Sequence, residues 1–150
     1  FGVPFYPGKR PWEVKADVAM PCATQNEVDL EDAKNIVANG TRYYIEVANM
    51  PSTSSALEYL SARENIIVAP SKAVNAGGVC VSGLEMSQNS QRLSWTAEEV
   101  DTRLKAAMKD IYNNSVDAAK RYGLGYNLVA GANIAGFEKV ADAMMTQGVY

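Results

Sequence analysis

The chain has no histidine. That removes Ser-His-Asp and Cys-His catalysis, and histidine-ligated metal sites, from anything its own residues can perform. Cysteine is scarce too: Cys22 and Cys80 stand in dissimilar settings and are too few for a disulfide framework. A reducing, cytoplasmic compartment is the expectation. Positive charge is not in excess, since 14 Lys and Arg face 17 Asp and Glu for a net charge of −3. No basic face is therefore expected for nucleic acid or for an anionic membrane surface. No apolar run approaches the roughly 18 residues of a transmembrane helix. The opening residues Phe1-Gly2-Val3-Pro4-Phe5 lack a basic stretch ahead of an apolar one, so they do not read as a secretory leader. An initiator methionine is also lacking, which fits a fragment or a processed product.

What is present describes one globular domain. Of the 150 residues, 47% are apolar and 21% charged, enough for a single core and too little for two ordinary ones. Residues 1–15, rich in proline, glycine and aromatics, read as an extended lead-in. Residues 16–20 form a brief apolar run stopped by Pro21, the pattern of a buried strand. Asp29 can cap a helix that Gly40 ends. Residues 42–47 (RYYIEV) are aromatic and β-branched, as a strand would be. Pro51 and the Ser/Thr cluster at 52–55 open a helix that buries Ala56, Leu57 and Leu60. Residues 65–69 (NIIVA), stopped by Pro70, make a third strand. Strands alternating with helices argue for parallel βαβ units.

After Pro70 the pattern is helical. Residues 75–92 form one helix. Thr96 to Glu99 is a capping box opening a long helix with apolar residues at Val100, Leu104, Met108, Ile111 and Tyr122, plus Ala107 and Ala118. Gly123 and Gly125 end it. A last helix carries Phe137, Val140, Ala141, Met144 and Met145 on one amphipathic face. Met108, Met144 and Met145 are expected in the core.

Three buried parallel strands do not make a stable open sheet alone, because such sheets need helices on both faces. The chain therefore reads as the second half of a doubly wound, Rossmann-like α/β domain followed by C-terminal helices. The glycine-rich phosphate turn, G-x-G-x-x-G, would belong to the other half.

Ligands of such folds bind at the carboxyl ends of the strands. Three segments fall there: Pro21-Cys22-Ala23-Thr24-Gln25-Asn26, Ala48-Asn49-Met50-Pro51 and Pro70-Ser71-Lys72-Ala73. They either line one crevice or are plain turns, which favour the same residue types. The run Asn75-Ala76-Gly77-Gly78-Val79-Cys80-Val81-Ser82 says more. Its glycines let a ligand approach the backbone, and a helix start offers free N–H groups to a carboxylate. Helical spacing sets Asn75, Val79 and Ser82 on one face as amide, apolar wall and hydroxyl. The other reading is a glycine-rich helix start packed closely on the sheet.

Other features carry less. Gly123-Leu-Gly125 and Gly131-Ala-Asn-Ile-Ala-Gly136 imitate parts of a dinucleotide fingerprint but follow helices, not strands. Glu98, Glu99 and Asp101 sit in a helix's first turn and complement its dipole. Lys105 and Lys109 read as a solvated face. Cys22 reads as a small packing residue, not a nucleophile, since no base lies near it in sequence.

Four stretches resemble one family, the hexameric bacterial-type glutamate dehydrogenases: DVAMPCATQNEVD (17–29), VANGTRYYIEVANMPST (37–53), APSKAVNAGGVCVSGLEMSQNSQRLSWTAEEVD (69–101) and GYNLVAGANIAGFEKVADAMMTQG (125–148). They cover nearly the whole chain in the family's order. The resemblance implies reversible oxidative deamination of L-glutamate to 2-oxoglutarate and ammonium with a nicotinamide cofactor. It places Cys22, Ala23, Thr24 and Gln25 beside the cofactor, Asn49 at the nicotinamide, and Asn75 between cofactor and substrate. It places Gly78, Val79 and Ser82 around the glutamate side chain, with the serine hydroxyl on its carboxylate. The family's catalytic lysine and aspartate belong to an N-terminal domain that nothing here resembles, so no catalytic and no metal-binding residue is expected in residues 1–150. The strand Tyr43-Tyr44-Ile45-Glu46-Val47 looks like the NAD-using clostridial members, which favours NAD with NADP as the alternative. A homohexamer is implied for the full-length protein. Two other readings remain: a dehydrogenase of another amino acid, or a non-catalytic binding or assembly module.

Overall fold

The computed structural model describes residue 2 and residues 4–148; the expectations that touch Phe1 and Val3 lie outside them. Three short strands, β1 (Val18–Ala19), β2 (Tyr43–Ile45) and β3 (Ile67–Ala69), pair in parallel in the order β1-β2-β3. Ala19 lies opposite Tyr44, and Tyr44 opposite Val68. Each strand is shorter than its apolar run. β1 is also less buried than expected: Ala19 faces the core, while Val18 and the following Met20 are exposed.

Helix α1 (Leu30–Ala38) follows β1, and α2 (Ser54–Ser61) follows β2. The α1 start is a capping box written with two aspartates. Asp29 accepts from the N–H groups of Glu31 (2.9 Å) and Asp32 (3.1 Å), and Asp32 accepts from the Asp29 N–H (3.0 Å). The α1 end is a Schellman turn at Gly40, where φ is +78°. There the Gly40 N–H reaches Val37 O and the Thr41 N–H reaches Ile36 O. Thr53 caps α2. The core that joins sheet and helices is Ala19, Val28, Ala33, Ile36, Tyr44, Ala56, Leu60, Ile66 and Val68. Leu57 only packs at its edge. Arg10, ahead of a 3-10 turn at Pro11–Glu13, pairs with Asp29 (2.8 Å) and Asp32 (2.7 Å) and so straps the lead-in onto α1.

The helical half departs from its expected plan in three ways. First, the helix after β3 opens at Ser71, not at residue 75. A short α3 (Ser71–Val74) runs into α4 (Ala76–Gln91) through Asn75 alone. Second, α5 (Ala97–Arg121) starts at the expected Thr96–Glu99 box, but Tyr122, just past its end, is exposed, and Leu104, Met108 and Ile111 are half-buried. Third, Phe137, Val140, Met144 and Met145 of α6 (Leu128–Gln147) are exposed, so Met144 and Met145 are not core. A period of 3.6 marks an apolar face; it does not say that this chain covers it. The residues that close α5 on α6 are smaller. Leu128 and Gly131 of α6 are buried, as are Ser115, Val116, Ala118 and Ala119 of α5, and Gly131 lies directly against Ser115 and Ala119. The hydroxyls of Tyr112 and Tyr126 meet at 2.6 Å, which pushes the Tyr126 pKa up to about 12. Arg121 pairs with Glu138 across the two helices.

The helix caps give stability a defined acid limit. The hydrogen bond from the Asp32 N–H, with Arg10 adding to it, holds the Asp29 carboxyl below its ordinary value. The Thr96 N–H does the same for Glu99. A lowered folded pKa means stability that is full above the ordinary carboxylate value and lost as pH falls through the folded one. Burial raises the Asp32 carboxyl and works in the opposite sense, so the melting temperature should drop below about pH 4 by what the two lowered caps contribute beyond it. Asp29→Asn, which keeps a capping oxygen but does not titrate, should lose less between neutral and acid pH than the parent. Thermal melts across that range by circular dichroism check this.

Candidate functional site

The carboxyl ends of the three strands carry the three sequence-marked segments, and hydrogen bonds knit the first two together. Pro21 O accepts from the N–H groups of Val47 (3.1 Å) and Ala48 (2.9 Å). The Asn26 N–H reaches Met50 O, the Val28 N–H reaches Pro51 O, and the Thr53 N–H returns to Val28 O. Asn26 and Met50 both take left-handed backbone, with φ of 53° and 51°. For Met50, which lacks the short polar side chain that eases this region, the conformation is uncommon. It follows Asn49 directly and reverses the chain there. Within the first segment, Glu27 Oε1 accepts from the Ala23 N–H at 2.8 Å and closes the loop. Cys22, Ala23, Thr24, Gln25 and Asn49 are all exposed. The Cys22 thiol donates to Met20 O at 3.2 Å, and the residue lies on the surface and is not the small packing residue expected of it.

The third segment is tied to the second by a buried side chain. Glu46 directly follows the central strand and is 4% exposed. Its Oε1 accepts from the Ser52 hydroxyl (2.6 Å), which in turn meets the Tyr44 hydroxyl (2.7 Å). Its Oε2 accepts from the Ser71 N–H (3.1 Å), the first residue of α3. Sequence reasoning missed this cluster. The one signal available was an acidic residue inside an otherwise apolar strand run.

Asn75 is half-buried at the joint of α3 and α4, and its side chain is not spent on capping. Its own N–H goes to Ser71 O at 2.9 Å, so the freshly opened helix end expected here is instead a continuation of α3. The glycine pair divides its work. A Cβ on Gly77 would meet Leu104 and Met108 of α5, both at 3.3 Å, whereas a Cβ on Gly78 would meet nothing within 4 Å. Close packing is thus real at Gly77, but against α5, not the sheet. Gly78, Val79 and Ser82 are exposed, Val79 at 77%. Offsets of four and seven from Asn75 keep Val79 and Ser82 on one side of α4. The amide, the apolar wall and the hydroxyl therefore share an open face.

The concavities elsewhere do not use Asn75, Gly78, Val79 or Ser82, although Pro70, Lys72 and Ala73 of the third segment line two of them. One of about 450 Å³ is lined by Lys72, Arg121, Glu138, Lys139 and Asp142 among others. A smaller, apolar one of about 100 Å³ lies beneath α3, between Pro70, Met108 and Leu128. Among the described residues no cluster of three or more His, Cys, Asp or Glu could hold a metal ion, and no helix is long and apolar enough to cross a membrane.

The model of the Glutamate/Leucine/Phenylalanine/Valine dehydrogenase family matches residues 2–148. The chain belongs to that family. Its similarity to the NAD-specific glutamate dehydrogenase of Clostridium symbiosum is 69% identity over 149 residues, 99% of this chain and 33% of that protein. It is 54% identical over 155 residues to the NADP-specific glutamate dehydrogenase of Haemophilus influenzae, covering 100% of this chain and 33% of the relative. A solved glutamate dehydrogenase superposes with a TM-score of 0.96 at 69% identity, over 99% of this chain and 33% of the other. The chain spans about a third of the length of these relatives. The family fold accounts for the open three-stranded parallel α/β sheet followed by helices.

Proposed function

We propose that the full-length protein carrying this segment catalyses the reversible oxidative deamination of L-glutamate to 2-oxoglutarate and ammonium. The carrying observation is the open α4 face, where an uncommitted amide, an exposed valine and an exposed hydroxyl stand in line beyond the strand ends. Residues 1–150 then form the nicotinamide-side part of a cofactor-binding domain, and the catalytic lysine-bearing domain and the glycine-rich phosphate turn lie elsewhere in the protein.

A nicotinamide cofactor fits the groups present. Cys22 to Gln25 and Asn49 are exposed at the strand ends, held by backbone bonds that leave their side chains outward. Open space at Gly78 admits a ligand to the backbone. When bound, the cofactor accepts the hydride. The residues here orient: Asn49 and Asn75 hold the carboxamide end and the substrate with their amides, and Cys22 to Gln25 flank the cofactor. Val79 walls the methylenes of the substrate side chain. Ser82 donates its hydroxyl to the far carboxylate. NAD is the cofactor favoured by the 69% relative, whose name carries NAD specificity, and NADP is the alternative given the 54% one.

A dehydrogenase of an apolar amino acid is the second reading, because the family's name spans leucine, phenylalanine and valine. Ser82 favours glutamate. A site built to bond a carboxylate leaves its polar groups unpaired against an apolar side chain and discriminates strongly. The test is glutamate-dependent reduction of NAD and NADP by the full-length protein, with leucine, valine and phenylalanine as competitors. No turnover of glutamate, or faster turnover of leucine, sinks the proposal. The isolated chain should bind NAD weakly or not at all, since the pyrophosphate turn is not among its residues; calorimetric titration reads this. A cytoplasmic homohexamer is proposed for the full-length protein, and sedimentation checks its size.

A further inference from the structure

Glu46 is the buried carboxyl that the site does not use for contact. Among the described residues it has no ion pair, yet it is nearly sealed from water and both of its oxygens are engaged. A buried carboxyl without a cation costs more than an apolar side chain of the same volume would. What it yields is geometry. Through Ser52 it grips the turn three residues beyond Asn49, and through the Ser71 N–H it grips the helix start four residues before Asn75. β2 and β3 are neighbours in the sheet, but their pairing alone leaves the loops beyond them free to shift. Glu46 is the side chain that bridges those two loops.

We infer that Glu46 is a positioning residue that sets the spacing of Asn49 and Asn75 and, through them, the affinity for the nicotinamide cofactor. The inference rests on the proposed dehydrogenase reading. Glu46 touches neither ligand. It acts through Ser52 and Ser71, with the buried Tyr44 hydroxyl fixing the Ser52 rotamer.

The test uses the full-length protein and three variants, Glu46→Ala, Glu46→Gln and Ser52→Ala, assayed well below each melting temperature. Fluorescence titration with NADH reads cofactor affinity without glutamate. Glu46→Ala should raise the NADH Kd about tenfold or more, and Ser52→Ala about three- to tenfold, the range set by losing one or two buried hydrogen bonds. Glu46→Gln, which keeps an acceptor for Ser71 and can still bond Ser52, should restore the Kd to within about threefold of the parent. A role confined to folding would lower the melting temperature and leave the Kd of the folded protein unchanged. Kd values within about twofold of the parent for Ser52→Ala and for whichever Glu46 variants fold would overturn the inference, as would a glutamine variant no better than alanine. A parent that binds NADH but turns over no glutamate counts against the functional reading alone.

Discussion

Gly131→Ala is expected to be the most destabilising single-methyl change in the chain. The added Cβ would stand 1.9 Å from the backbone oxygen of Ser115 and 2.8 Å from its carbonyl carbon, with the Ala119 Cβ at 3.1 Å. Backbone cannot rotate away as a side-chain tip does, so α5 and α6 must separate. Overpacking usually costs about 1–3 kcal/mol, and a clash with helical backbone belongs at or beyond the upper end, near 3 kcal/mol. Parting the helices also loosens the packing of Gly131 on Ser115 and Ala119, all three of which are buried. The control lies in the same helix. A Cβ on Gly136 would meet nothing within 4 Å, so Gly136→Ala should follow helix propensity and stabilise by about 0.5–1 kcal/mol. Urea denaturation of both variants reads two shifts of opposite sign. Equal shifts would mean that the α5–α6 crossing is looser than described.

The second large effect concerns function. Ser82→Ala in the full-length protein should raise the KM for glutamate about ten- to a hundredfold. That is the loss of a hydrogen bond to a charged group, about 1.5–3 kcal/mol. The KM for the nicotinamide cofactor should move by less than about twofold. Stability should not fall, because Ser82 is exposed on α4 and alanine is the better helix former. The ratio of the two KM changes is the informative quantity. An unchanged glutamate KM would remove Ser82 from the substrate site.

Much of the fold was legible in the residues. Pro21 and Pro70 mark where strands stop, Asp29 and Thr96 where helices start, and Gly40 where one ends. These signals are local, carried by one side chain and its neighbours within a turn. The alternation of elements up to Pro70 was enough for a parallel sheet. Three buried parallel strands also pointed to a larger doubly wound sheet, because such sheets need helices on both faces. What escaped was long-range. Glu46, Ser52 and Ser71 are spread over 25 residues and meet only because β2 and β3 pair. The left-handed turn at Met50 had no glycine to announce it. The four residues of α3 are too few to show a period, so the helix start was placed at Asn75. The apolar stripe of α6 is present, but Met144 and Met145 on it are exposed and not core, because amphipathicity records a preference for burial and not the identity of the covering surface.

The site was legible in composition more than in geometry. The grouping of Asn75, Val79 and Ser82 follows from helical spacing, and the structure keeps them on one side of α4, with Asn75 half-buried and the other two exposed. The glycines beside them divide: Gly77 packs closely, though against α5 and not the sheet, and Gly78 has open space around it.

That division has an evolutionary consequence. Gly77 answers to the folding of α4 on α5, where any side chain must displace Leu104 or Met108. Val79 and Ser82, one turn on, contact little within the chain, and their replacement leaves the interior undisturbed. On the proposed substrate role of Val79 and Ser82, a lineage exploring new amino-acid substrates would exchange those two positions at little cost in stability, while the helix that bears them stays locked in place. One side of the helix is free to vary and the other is held by packing on α5.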